Sequence, residues 1–297
     1  KRRWAILIIL CVILMLVVVA IDNMFICDCG RVHYQVEGPV KQEWVAKYHC
    51  NDSSWIEGQV IALDQQDDVY ITGKPVTIKY DANGNDLLVV QGKGSSVWGT
   101  SLDIQGNFFV VAESVSASYA QVLFMVKYDK SGSEIWSTEI TNEVDGNTYM
   151  ALDNQGNSYI TVTDTQSVQI IKHSGINGSE LWEITRESSG RRTDYYYIAV
   201  DYSGNVYVAC LDEVIKYDSA GHELWAVNID IDVMQGMAGA TWLAFDTQGN
   251  VCAVTEVHGY WNEGHYYIDK YDADGNLLWQ VRYDFNNTQC GNCGLSR

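Results

Sequence analysis

One phrase recurs five times along the chain, and it constrains the fold more than any other feature of the sequence. It reads ALDQQDDVYITG from Ala62, SLDIQGNFFVVA from Ser101, ALDNQGNSYITV from Ala151, AVDYSGNVYVAC from Ala199 and AFDTQGNVCAVT from Ala244. The aspartates at its head are Asp64, Asp103, Asp153, Asp201 and Asp246, spaced 39, 50, 48 and 45 residues apart. A second phrase follows each copy: TIKYDANGNDLLVV, MVKYDKSGSEIWST, IIKHSGINGSELWEI, VIKYDSAGHELWAV and DKYDADGNLLWQV. Four copies close on a tryptophan, at Trp136, Trp182, Trp225 and Trp279, and the first has Leu88 there. A period of about 45 residues is the mark of a repeat architecture.

Each phrase has a mechanical reading. In D-x-x-G-N the aspartate accepts hydrogen bonds from the turn backbone and the glycine supplies a positive φ. Such a turn joins two antiparallel strands, and stretches such as Val206-Tyr207-Val208 are strand-forming. Each repeat therefore holds two hairpins, or four short strands, which is the blade of a propeller. Only 2 prolines stand against 25 glycines, 10 tryptophans and 19 tyrosines, a composition that suits short strands and glycine turns. The expected fold is all-β: a propeller of five or six four-stranded antiparallel blades over residues 59–284. Arg31 to Tyr48 reads as a further half-blade, with Trp44 at the closing tryptophan position. Trp44, Trp136, Trp182, Trp225 and Trp279 are expected to dock neighbouring blades.

The paired phrases, D-x-x-G-N-(V/S/F)-Y-(V/I) and I-x-K-Y-D-x-x-G-x-x-L-W, resemble the SBBP-type propeller repeats of prokaryotic cell-surface proteins, and the wider NHL and quinoprotein-like set. The resemblance spans about Gln59 to Asp284. It implies a propeller and a surface or adhesion-like role, and it attaches no catalytic residue to the repeat. The quinone enzymes among the relatives are larger, eight-bladed proteins, so quinone binding is not expected of this chain.

Ahead of the repeats, Lys1, Arg2 and Arg3 precede an unbroken apolar run from Trp4 to Ile21. As a helix of about 27 Å it matches the hydrocarbon thickness of a bilayer. The basic flank places that end in the cytoplasm and the repeats outside. Residues 1–26 are expected to form this helix as an anchor, with a cleaved signal peptide or a packed filament core as the alternatives. A pilin would carry a glutamate near its mature start, and this run has no acidic residue before Asp22. Residues 27–58 form a cysteine-containing linker with the partial hairpin, and 285–297 a cysteine-containing tail. Cys27, Cys29, Cys290 and Cys293 are disulfide candidates in an oxidising exterior, with a zinc site as the rival reading. Three sequons, at Asn51, Asn177 and Asn286, are compatible with export.

The formal charge of −19 repels phosphate backbones, so nucleic acid is not an expected partner. No nucleophile elbow, phosphate loop or haem motif occurs. Asp272-x-Asp274-Gly275-Asn276 looks like part of a calcium loop, but the same slot reads as a plain turn in the other repeats. Turn chemistry accounts for that slot, so no cofactor is expected, with calcium as the alternative. The loop EVHGYWNEGHYY offers His258, Glu263 and His265 as metal-type ligands, and Tyr260 and Trp261 as stacking rings. It is the recognition-loop candidate. The functional expectation is a non-catalytic cell-surface module binding a protein or glycan on the cell exterior. The alternatives are a subunit of an extracellular filament or membrane assembly, contacting copies of itself, and a propeller hydrolase or lyase.

Overall fold

A computed structural model describes residues 44–46, 57–74, 76–94, 96–115, 121–141, 148–163, 167–187, 196–209, 213–229, 236–259 and 263–286. The apolar run and Cys27, Cys29, Cys290 and Cys293 lie outside these residues, as do Tyr260 and Trp261. No helix of the described residues is long and apolar enough to cross a membrane. Regular structure among them is strand only, in five four-stranded antiparallel sheets, each a simple meander.

The chain divides into two compact units, 1–92 and 93–297. The first holds sheet one: β1 (Glu57–Leu63), β2 (Val69–Lys74), β3 (Val76–Tyr80) and β4 (Asp86–Gln91). Its core is Val69, Val76, Ile78 and Tyr80, with Trp44, Ala46 and Ile71 packed against it.

The second unit holds four sheets. They are β5 (Ser96–Leu102) to β8 (Glu134–Thr141) with β6 (Phe108–Val115) and β7 (Gln121–Tyr128) between; β9 (Thr148–Leu152), β10 (Ser158–Thr163), β11 (Ser167–His173) and β12 (Glu180–Glu187); β13 (Tyr197–Val200), β14 (Val206–Ala209), β15 (Glu213–Tyr217) and β16 (Glu223–Asn228); and β17 (Gly236–Phe245), β18 (Val251–Gly259), β19 (Glu263–Tyr271) and β20 (Leu277–Asn286). The first strands of successive sheets adjoin, β5 beside β9, β9 beside β13 and β13 beside β17. An apolar core fills each space between neighbouring sheets: Phe109, Leu123 and Met125 against Ile160 and Ile171, then Tyr159 and Ile170 against Val208 and Ile215, then Tyr207 and Val214 against Val251 and Tyr267. First strands side by side with sheets packed face to face is the arrangement of propeller blades.

Burial follows from chain order within a blade. The second and third strands are covered on both faces, so β10 is buried at every residue and β15 at all but its first. The fourth strand is an edge and alternates, as in the exposed–intermediate pattern of β12 and β16. A meander also sorts its connections. The turns from first to second and from third to fourth strand fall on one rim, and the remaining links on the other. All the repeated aspartate turns therefore lie on one rim of their blade.

At those turns glycine has a positive φ, from 72° at Gly178 to 91° at Gly221. Sheet one departs from the pattern. Asp67, with φ 62°, stands where the other first turns have glycine, and aspartate is among the few L-residues that visit this region.

Candidate functional site

The five repeat aspartates are occupied in building turns. Asp153 Oδ1 accepts the amides of Gln155 and Asn157, both at 2.9 Å. Its Oδ2 accepts Asn157 Nδ2 at 2.9 Å and the Tyr159 hydroxyl at 3.1 Å. The same pattern of two amides and an asparagine side chain holds at Asp103, Asp201 and Asp246. Asp64 takes the amides of Gln66 and Asp68 and ion-pairs with Lys79 at 3.2 Å. At Asp246 burial works against ionisation, but Lys270 at 2.7 Å and the Asn250 bonds outweigh it and hold the carboxyl down at about 2. The oxygens of these carboxylates are engaged as acceptors in the turns they close. Asp272 is used in the same way, by the amides of Asp274 and Asn276. Among the described residues no group of three or more acidic, histidine or cysteine side chains could hold a metal.

Behind each turn sits the lysine of the I-x-K-Y phrase. Lys127, Lys172 and Lys216 lie 4.8, 4.8 and 5.1 Å from the ring centroids of Phe109, Tyr159 and Tyr207. Each then donates to a carbonyl in the last turn of the next blade: Gly175 at 2.9 Å, Ser219 at 3.0 Å and Ala273 at 2.9 Å. The blade's tryptophan, paired across from that lysine, donates its indole N–H to the same oxygen. Trp136 reaches Gly175 at 3.4 Å, Trp182 reaches Ser219 at 3.2 Å and Trp225 reaches Ala273 at 3.0 Å. The indole also covers the turn glycine. A Cβ on Gly178 would come 2.7 Å from Trp136, and one on Gly275 2.9 Å from Trp225. Glycine is needed there twice over, for its φ and for the absence of a side chain. Trp44 makes the same contact in the first unit, covering Gly84 and donating to Ala82 O at 3.0 Å.

Trp279 keeps the register of the closing tryptophans, opposite Lys270, is 36% exposed and covers no turn glycine among the described residues.

The recognition-loop candidates fall on the rim opposite the aspartate turns. His258, Glu263 and His265 stand at the tip of the β18–β19 hairpin, where His258 pairs with Gly264 and Val257 with His265. Arg186 lies in β12 and bridges to Glu213 at 2.7 Å and Glu223 at 2.8 Å in the next blade.

An aromatic strip that the sequence did not bring forward runs along the first strands. Tyr149 on β9 stacks on Tyr197 of β13, with centroids 4.3 Å apart and planes at 29°. Tyr197 in turn meets Trp242 of β17 at 6.0 Å. Tyr197 thus touches rings from the blades on both sides, and Tyr149 also packs against the apolar core between the third and fourth sheets. All three rings are half-buried. They occupy one slot, four residues before the turn aspartate, and the second sheet has Gly99 in that slot. The repeat alignment held the signal, but the slot varies between repeats and so falls outside the motif.

Two further substitutions inside the repeat became visible only with burial. His173 stands where the other blades have tyrosine, and it is buried. Asp269, fully buried, replaces Ile78, Val126, Ile171 and Ile215, and the Tyr271 hydroxyl bonds to it.

No protein-family model matches the sequence, and no curated protein matches it either. Among solved structures the chain is similar to a protein from Lactobacillus plantarum, with TM-score 0.54 and 15% identity over 74% of this chain and 70% of that one. It is also similar to a protein of unknown function from Bacteroides caccae, with TM-score 0.51 and 14% identity over 77% and 82%. A gluconolactonase from Xanthomonas campestris aligns at TM-score 0.44 and 18% identity over 68% and 69%. Likeness to the first two at these identities speaks to the fold alone.

Proposed function

We propose that the chain is a non-catalytic binding propeller of the cell exterior that takes a carbohydrate against the strip Tyr149–Tyr197–Trp242. The single observation behind this reading is the half-buried Tyr197, stacked on Tyr149 of one adjoining blade and meeting Trp242 of the other at 57°. Half-exposed rings in a row give the flat apolar faces of sugar rings something to lie on. The net charge of −19 favours neutral or cationic saccharides over polyanions. The non-catalytic part of the reading is supported by turn aspartates such as Asp153, whose two oxygens accept hydrogen bonds within their own turn. The apolar segment from Trp4 to Ile21 serves, in this reading, to hold the propeller to the membrane.

The reading is tested by titrating the chain with a panel of neutral oligosaccharides and following tryptophan emission and heat. At least one is expected to bind. Trp242→Ala is expected to weaken it about tenfold, the effect of losing roughly half the buried apolar area of one large ring. Circular dichroism should be unchanged. A panel without any binder, or a variant that binds as well as the parent, sinks the reading.

A further inference from the structure

The last hairpin turn of a blade reads DANGN, DKSGS, DSAGH and DADGN in the first, second, fourth and fifth sheets. Each closes from the aspartate amide to a carbonyl four residues on, as Asp129 N to Ser133 O at 2.9 Å. The turn of the third sheet is one residue longer, SGINGS from Ser174 to Ser179, and closes from Ser174 N to Ser179 O at 2.8 Å. Its glycine keeps the positive φ, 72° at Gly178. The longer turn changes what the tip presents. Ile176 is 86% exposed, and Asn177 and Ser179 are exposed beside it.

The preceding blade grips this turn by its backbone. Lys127 and Trp136 share the carbonyl of Gly175, and the Trp136 indole covers Gly178. The side chain of Asn177 is engaged within the turn instead. Its Oδ1 accepts the Ser179 amide at 3.1 Å and the Ser179 hydroxyl at 2.9 Å. Its Nδ2 donates to no group among the described residues, whereas the asparagines of the first turns give theirs to an aspartate, as Asn157 to Asp153 at 2.9 Å. Asn177 therefore presents an unspent amide nitrogen, with the hydroxyl of the second residue on bonded to its own carbonyl oxygen. Asn83 holds the matching place in the first sheet's turn, but Asn85 follows it there and supplies no hydroxyl.

We propose that Asn177 is a glycosylation site, the acceptor of an oligosaccharide from a lipid-linked pyrophosphate donor. Asn-x-Ser glycosylation needs an amide nitrogen to react and a hydroxyl two residues on, and the exposed tip of this turn holds both. In the transfer Nδ2 loses a proton and bonds to C1 of the first sugar. The bond from C1 to the phosphate oxygen breaks, and the lipid pyrophosphate leaves with the electron pair. A glycan on Nδ2 projects from the tip and leaves the backbone grip of Lys127 and Trp136 as it is. Of the other sequons, Asn51 and the side chain of Asn286 lie outside the described residues. The site rests on the exterior placement of the repeats, and not on saccharide binding at the aromatic strip.

The test is peptide mapping by mass spectrometry of the full chain purified from the cells that make it. The peptide spanning Asn177 is expected to carry the mass of an oligosaccharide, removed by chemical deglycosylation, and the peptide spanning Asn83 to be bare. Ser179→Ala keeps the asparagine and should lose the added mass, while Ser179→Thr should retain it. Asn177→Gln should lose it as well, with unchanged circular dichroism. A bare Asn177 overturns the proposal, as does an added mass that amounts only to conversion of the asparagine to aspartate. Retention of the glycan by Ser179→Ala also overturns it. Protease added to intact cells cuts the repeats only if they lie outside, so a failure of the exterior placement is told apart from a failure of the site.

Discussion

Truncating the blade tryptophans is expected to split them into two groups. Trp136→Ala, Trp182→Ala and Trp225→Ala should each cost about 2–4 kcal/mol, somewhat below the range for a fully buried aromatic because these rings are half-exposed. Trp279→Ala should cost well under half of that. The reasoning is local. Each of the first three removes a ring packed on a turn glycine and a donor to that turn's carbonyl, leaving a void between blades and a carbonyl with the lysine alone. Trp279 has neither contact to lose. Urea unfolding of the four variants measures this, with midpoints compared at constant slope. Equal losses in all four would show that the glycine-turn contact is not what makes the first three rings stabilising.

A second large effect is expected in the third sheet on acidification. In four blades the buried cross-strand pair beside the turn is apolar against tyrosine: Val69 with Tyr80, Phe108 with Tyr128, Val206 with Tyr217 and Val251 with Tyr271. In the third it is Ser158 with His173, 0% and 2% exposed. Ser158 Oγ and His173 Nδ1 find no hydrogen-bond partner among the described residues. Burial pushes the imidazole down to about 4. His173 is therefore neutral in the folded chain and takes up its proton on unfolding below about pH 6.5. Its contribution to stability is complete above that pH and is lost as pH falls through about 4, a loss of about 3 kcal/mol in all. The double variant Ser158→Val, His173→Tyr restores the common pair. It should abolish the loss between pH 6.5 and 4, and it should be more stable at pH 7 by about 1–3 kcal/mol for each buried polar group removed. Asp246, held at about 2, acts in a separate window, losing its contribution as pH falls from about 4 to 2. Unfolding at pH 7, 5.5 and 4 decides the matter, and identical pH slopes for parent and variant would show that His173 is not the cause.

The chain by itself determined the blade. Turn chemistry is local: an aspartate four residues before an asparagine, with a glycine between, closes a hairpin through its own contacts in four copies, and the first closes with Asp67 and Asp68 in those two places. The lysine–tryptophan register was legible for the same reason, since a two-residue strand period and a fixed turn length place Lys127 opposite Trp136 and Lys270 opposite Trp279. Tertiary structure decided what those pairs do. Trp225 and Trp279 sit in the same phrase, yet one covers a glycine and the other covers none among the described residues, because the contact is made to a different blade. The strip Tyr149–Tyr197–Trp242 was equally hidden, being three single residues from three repeats that only the packing of first strands brings together. His173 and Asp269 read as ordinary variation until burial showed that one polar group stands where an aromatic, and the other where an aliphatic side chain, fills the core elsewhere. Repetition fixes whatever a residue owes to its neighbours in the chain. What it owes to the adjoining blade depends on which blade that is.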